Sequence, residues 1–268
     1  MSKKLYLVLY DFTPVSEKAL AYALHLGKSV EIEIKLVHLA ENRAIGMAKL
    51  KQLNNLIQKT ETPRGVKLTQ LVKIGDIFSR IGKVVKEEKP QLIIMGTHGM
   101  KGTQWLFGSF ALKLLQSTEC PFLIVQKKTK IEDIDHISVP IDLSKESMQI
   151  ANIAGSMAKI MKANLTVLTE KQSDPMLKTR ILNRLGIIQK EYDEMGVKAT
   201  THFVIHKGKY ENKILKHAEE NNVGLIALAY HSESLLPQFD TFTQELITNE
   251  TGLPVLIINS KLASSLYF

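Results

Sequence analysis

The chain has 268 residues, 44% hydrophobic and 23% charged, which excludes a disordered, collagen-like or coiled-coil chain and suits about two globular domains. Its single cysteine, Cys120, excludes an intrachain disulfide and a cysteine-held zinc site, and points to a reducing, cytosolic setting. The net charge of +8 is unevenly held: residues 1–130 carry 21 Lys+Arg against 10 Asp+Glu (+11), and residues 131–268 carry 14 against 17 (−3).

The first predicted element is LYLVLY (5–10), a continuous apolar run of the kind that forms a strand buried on both faces. Thr13 offers an N-cap with Pro14 at the first helical position, and the helix runs to about Gly27, a residue suited to a C-terminal cap. EIEIKLVHL (31–39) opens in strict alternation and reads as a strand. Over 41–59, Ile45, Leu50, Leu53 and Ile57 recur at near-helical spacing. VKLTQLVKI (66–74) is another strand, and Asp76 caps a helix that ends near Lys89, before Pro90. QLIIM (91–95), a short helix near 109–117 and the strand FLIV (122–125) complete the half.

The second half repeats this order. It reads as strand 136–141, helix 145–161, strand 164–169, helix 174–195, strand 197–205, helix 209–221, strand 224–229, helix 239–249 and strand 254–259. Asp11 matches Asp142 at an offset of 131, and QLIIMGTHG (91–99) matches GLIALAYHS (224–232) at 133, as Gly75 matches Gly208. Two tandem domains follow, 1–128 and 133–268, joined through KKTKIEDID. Each is a five-stranded, mainly parallel, doubly wound α/β unit of the Rossmann-like type.

In such sheets ligands bind beyond the carboxyl ends of strands, where the strand order reverses. One loop there carries Asp11, able to accept bonds from a ribose or an adenine amino group. The other runs from Gly96 to Ser109 and holds Gly96, Gly99 and Gly108, which let backbone approach a ligand. Gly108-Ser109 opens a helix whose free N–H groups suit a phosphate. His98, His231 and His38 read as loop or packing histidines, Trp105 and Phe107 as core or interface residues, and Cys120 as an inert buried thiol. No Ser-His-Asp spacing, H-E-x-x-H or carboxylate pair nominates a catalytic residue, and no residue set nominates a metal site.

The strand end carrying Asp11, the G-x2-G-x8-G-S loop and the Pro-aliphatic strand that follows resemble the universal stress protein family, over nearly the whole chain as two copies. The resemblance implies an adenine-nucleotide-alpha-hydrolase-like fold and an adenine pocket formed by Leu9, Asp11, Val37, Met95 and the glycine loop that starts at Gly96. Phosphates of an ATP, carrying Mg, would contact Gly99, Gly108, Ser109 and Phe110. The ATP-binding branch has one more residue before its last glycine, and Leu9 stands where the family's strand usually has proline. In the second half Ala229, Ser232, Thr241 and Phe242 replace Gly96, Gly99, Gly108 and Ser109, so no nucleotide is expected there.

The expected function is therefore a cytosolic stress-response protein that binds an adenine nucleotide in its first domain and acts through ligand- or partner-dependent regulation. Slow ATP hydrolysis is compatible with this, but an enzymatic role is not required. The alternative is a nucleotide-free interaction protein whose shortened loop holds no phosphate. The apolar strands 122–125 and 255–258 are expected to pair within the chain, as unpaired apolar edges are a hazard; the family's dimers resemble this arrangement, so a tandem chain can satisfy it internally, and a homodimer is a further partner considered. No apolar run nears the roughly 20 residues of a membrane span, MSKKLYLVLYDF is too short an apolar run for a signal peptide, and the lysines lack the aromatic interleaving that nucleic acid would call for.

Overall fold

The computed structural model describes residues 4–97, 108–144, 146–204, 208–230 and 241–259. The chain divides into two compact units. The first runs to Ile131 and takes in Glu250–Gly252, and the second holds the remainder.

The first unit contains β1 (Lys4–Leu9), α1 (Pro14–Leu26), β2 (Ile32–Ala40), α2 (Arg43–Lys59), β3 (Lys67–Ile74), α3 (Ile77–Glu88), β4 (Leu92–Thr97), α4 (Gly108–Leu115) and β5 (Phe122–Gln126). Its strands lie in the order β3-β2-β1-β4-β5 and pair in parallel, with Leu9 opposite Val37, Leu7 opposite Ile93 and Met95 opposite Ile124. The order reverses between β1 and β4, the switch point where α/β sheets open to ligands. Leu7, Val8, Ile34, Leu36, Ile93, Ile94 and Leu123 are fully buried, so the continuous apolar strands are covered on both faces.

The second unit contains β6 (His136–Pro140), a 3₁₀ turn (Glu146–Met148), α5 (Gln149–Met161), β7 (Asn164–Glu170), α6 (Pro175–Met195), β8 (Ala199–Val204), α7 (Tyr210–Glu220), β9 (Leu225–Tyr230), α8 (Thr241–Ile247) and β10 (Val255–Asn259). Its parallel order is β8-β7-β6-β9-β10. Pro140 lies opposite Leu168, and Ser138 opposite Ile226. These are the partners of Leu9–Val37 and Leu7–Ile93 moved by 131 and 133 residues, so the sequence repeat is a repeat of strand register.

Local signals account for most helix ends. Thr13 and Ser16 form a capping box at the start of α1, and Asp76 Oδ2 accepts from the Ser79 N–H at 2.9 Å at the start of α3. Lys89 then closes α3 in a left-handed conformation, φ 49°, just before Pro90. Gly75 and Gly208, matched in sequence, both take positive φ, 122° and 106°, two residues before α3 and α7 begin.

Some expectations are corrected. Gly27 does cap α1, but with a right-handed φ of −64°. Its glycine is required by space, since a Cβ would lie 2.4 Å from Val66 Cγ2. Of the apolar residues spaced along α2, Leu53 is buried, whereas Ile45 and Leu50 are 39% and 38% exposed, because β3, against which α2 packs, is the last strand of its unit and offers little surface to cover. The helix expected from residue 145 begins as a 3₁₀ turn and becomes α-helical at Gln149. α8 ends at Ile247, short of the expected 249.

Candidate functional site

A cleft of about 260 Å³ opens at the switch point of the first unit. The end of β1 contributes Leu9, Tyr10 and Asp11, and the first turn of α1 contributes Val15 and Ser16. The end of β2 contributes Val37 to Glu41, the β3–α3 turn Gly75 and Ile77, and β4 Met95 and Gly96. Its volume lies just under the ~300–1,000 Å³ common for small-molecule pockets, a scale that suits a nucleobase-sized group.

The floor is made of backbone. The Tyr10 N–H donates to Val37 O at 2.9 Å, carrying the chain beyond β1 along β2. His38 is buried, with Nδ1 2.8 Å from Tyr10 O. A carbonyl can only accept, so Nδ1 carries the hydrogen, and in a neutral ring Nε2 is left as an acceptor. The chain then turns sharply at Phe12, φ 66°, a conformation costing a non-glycine residue about 1–2 kcal/mol. The Phe12 ring is held edge-on against Tyr10 (5.1 Å) and His38 (5.2 Å), with Lys49 Nζ 4.2 Å from its centroid.

Asp11 is exposed, and its Oδ1 accepts from the Thr13 N–H at 3.0 Å and Thr13 Oγ1 at 2.5 Å. It therefore shapes the turn into α1 whatever else it meets. Gly96 serves a second close approach. A Cβ there would stand 2.2 Å from Val15 O, so its lack of a side chain lets α1 lie directly on β4. In the second unit Ala229 holds this place, and there the chain enters its helix through the 3₁₀ turn.

Of the residues nominated from sequence, Leu9, Asp11, Val37, Met95 and Gly96 come together around this cleft. Gly108, Ser109 and Phe110 form the first turn of α4. Gly99 lies outside the described residues, as do His98, His231, Trp105 and Phe107. Sequence reasoning passed over Tyr10, Ser16, Glu41 and Ile77 as cleft residues, and noted Gly75 solely as a repeat match. Gly75 was the available signal, because a glycine repeated at strand ends marks a turn that recurs for a conformational reason. Cys120 is buried with Sγ 3.4 Å from Pro90 O, and burial pushes its thiol well above the usual range.

Among the described residues no group of three or more His, Cys, Asp or Glu could hold a metal ion, and no helix is long and apolar enough to cross a membrane.

Comparison with known proteins yields a double match. The profile of the universal stress protein family fits residues 4–126 and again 133–259. The chain belongs to the universal stress protein family. It is a tandem member, and single-domain relatives each span about half of it. Universal stress protein YxiE of Bacillus subtilis is 26% identical over 144 residues, covering 45% of this chain and 97% of the relative. Universal stress protein MJ0531 of Methanocaldococcus jannaschii is 24% identical over 140 residues, covering 45% and 80% respectively. A universal stress protein of Archaeoglobus fulgidus, solved by crystallography, covers 97% of this chain and 100% of its own at a TM-score of 0.75 and 20% identity, a likeness of fold.

Proposed function

We propose that this universal stress protein binds an adenine nucleotide in its first unit and acts as a stress-response regulator through that ligand or a partner. The observation that carries the reading is the convergence of Leu9, Asp11, Val37, Met95 and Gly96 on one cleft at the switch point. The family resemblance of the sequence nominates the same five residues.

The cleft supports a base, with Val37, Ile77 and Met95 offering apolar surface and the His38 ring and Asp11 carboxylate offering polar atoms at its edge. The triphosphate would lie toward the first turn of α4, where the N–H groups of a helix start have no intrahelical acceptor. Mg would arrive with the phosphates, since this ion keeps its waters and binds chiefly through substrate phosphates and one or two carboxylates. Binding of this kind needs positioned backbone and no general base.

The test is a titration of the full chain with labelled ATP. The parent protein is expected to take up one equivalent. Gly108→Val should abolish uptake, because a branched side chain at the helix start blocks backbone approach, and the matched change Thr241→Val should leave it intact. Absence of uptake by the parent would favour the nucleotide-free interaction protein, and equal loss from both changes would contradict a single site.

A further inference from the structure

We infer that the second unit carries its own occupant for the base cleft: the side chain of Tyr210, stacked on Phe242, takes the place that a bound base would fill in the first unit. The inference rests on the nucleotide reading solely for the identity of the ligand excluded.

The register repeat defines equivalent positions. Ile77 opens α3 and lines the first cleft, and 133 residues later Tyr210 opens α7. Val37, the first residue of the cleft's β2 wall, stands opposite Leu9, and 131 residues later Leu168 stands opposite Pro140 in the same way. In the second unit the phenol at the Ile77 position reaches across to this wall. Tyr210 Oη donates to Leu168 O at 3.0 Å, the carbonyl that also accepts from the Ile141 N–H at 2.8 Å. In the first unit the corresponding carbonyl, Val37 O, accepts from the Tyr10 N–H, and the shorter Ile77 has no group to place there.

The ring is closed in from its other side by Phe242. The two centroids are 5.9 Å apart with planes inclined by 13°, the face-to-face offset an aromatic ring adopts on another flat ring. Phe242 is the residue that replaces Ser109, the proposed phosphate neighbour. The two substitutions that close the site, at the base position and at the helix start, therefore meet in one stack. Burial, with Asp142 and Glu170 adding to it, holds the Tyr210 phenol above its usual range, so it stays a neutral donor to Leu168 O. Lys213 Nζ, 2.5 Å from Glu170 Oε1, and Lys209 Nζ, 3.3 Å from Glu245 Oε1, tie α7 to β7 and to α8 around it.

The consequence is a chain with one ligand-responsive unit and one whose closed state is built in. Two experiments on the full chain test this. In equilibrium dialysis with labelled adenosine, the double variant Tyr210→Ile/Phe242→Ser, which restores the residue types of the first unit, is expected to bind one equivalent more than the parent. In thermal unfolding, Tyr210→Ala is expected to melt earlier than the parent, and p-cresol, the tyrosine side chain as a free molecule, should raise its Tm by a few degrees while leaving the parent unmoved. Should Tyr210→Ala fail to fold, p-cresol present during refolding is expected to recover it. Equal adenosine uptake by parent and double variant overturns the inference, as does p-cresol acting equally on parent and Tyr210→Ala. A parent that binds none beside a double variant that binds one would sink the first-unit reading and leave this one standing.

Discussion

The carbonyl oxygen of Val15 stands 2.2 Å from the point where a Cβ on Gly96 would lie, with Val15 C at 2.5 Å. The first turn of α1 thus rests on β4 backbone to backbone, and no flexible side chain is present to give way. Gly96→Ala is expected to destabilise the first unit by about 1–3 kcal/mol, the usual cost of overpacking. Ala229→Gly in the second unit should cost less, about 0.5–1 kcal/mol of backbone entropy. Hydrogen exchange on peptides from each unit reads the two effects separately, which matters for a chain of two units that need not melt as one. Equal protection of first-unit peptides in parent and Gly96→Ala would show that the helix shifts freely.

Asp11 and Asp142 build the same turn. Asp142 Oδ1 accepts from the Ser144 N–H at 2.8 Å and from Ser144 Oγ, as Asp11 Oδ1 does from Thr13. Asp11→Ala and Asp142→Ala should therefore lose similar stability, about 0.5–1.5 kcal/mol for a lost hydrogen bond, and Asn, which keeps a carbonyl acceptor, should lose less. If Asp11 also meets the ligand, its alanine variant should bind ATP roughly 2- to 13-fold more weakly while Asp142→Ala is unchanged. Melting temperature and ATP affinity measured on the same variants decide this, and unchanged affinity for Asp11→Ala confines it to the turn.

Burial pushes the Tyr6 phenol up to about 12. The folded state favours the neutral form, so this contribution is intact below the unfolded value near 10 and is lost as pH rises from there toward 12. The loss amounts to something on the order of 2–3 kcal/mol. Tyr6→Phe should flatten the alkaline decline in urea-unfolding free energy between pH 10 and 12. A variant whose decline matches the parent's would assign the effect to other buried phenols, such as Tyr192, which burial and Glu191 also raise.

Cys120 is 5% exposed and its thiol is held protonated by burial. The thiolate is the reactive form, so iodoacetamide should label the native chain at pH 8 no faster than the protein opens. Denaturant should accelerate labelling more than tenfold. Rapid labelling of the folded chain, followed by mass spectrometry, would show that the β4–β5 region opens locally.

Much of this architecture was legible in the sequence because it is local. The apolar run LYLVLY, the Thr13-Pro14 start and the Asp76 cap act within a few residues of themselves, and the matched offsets of 131 and 133 returned as matched strand pairings, Leu9 with Val37 and Pro140 with Leu168. The grouping of Leu9, Asp11, Val37, Met95 and Gly96 was also within reach, since parallel strand ends converge wherever strand order reverses. Tertiary structure decided what depends on distances between segments far apart in the chain. Gly27 and Gly96 look alike as glycines, yet Val66 and the Val15 carbonyl are what exclude a side chain at each. Ile45 and Leu50 follow a helical period, but α2 lies on a terminal strand, so the period does not bury them. Tyr210 was one aromatic at the start of a predicted helix until the fold brought its hydroxyl to Leu168, 42 residues earlier, because composition and spacing record which side chains exist and only packing sets which of them share a cavity.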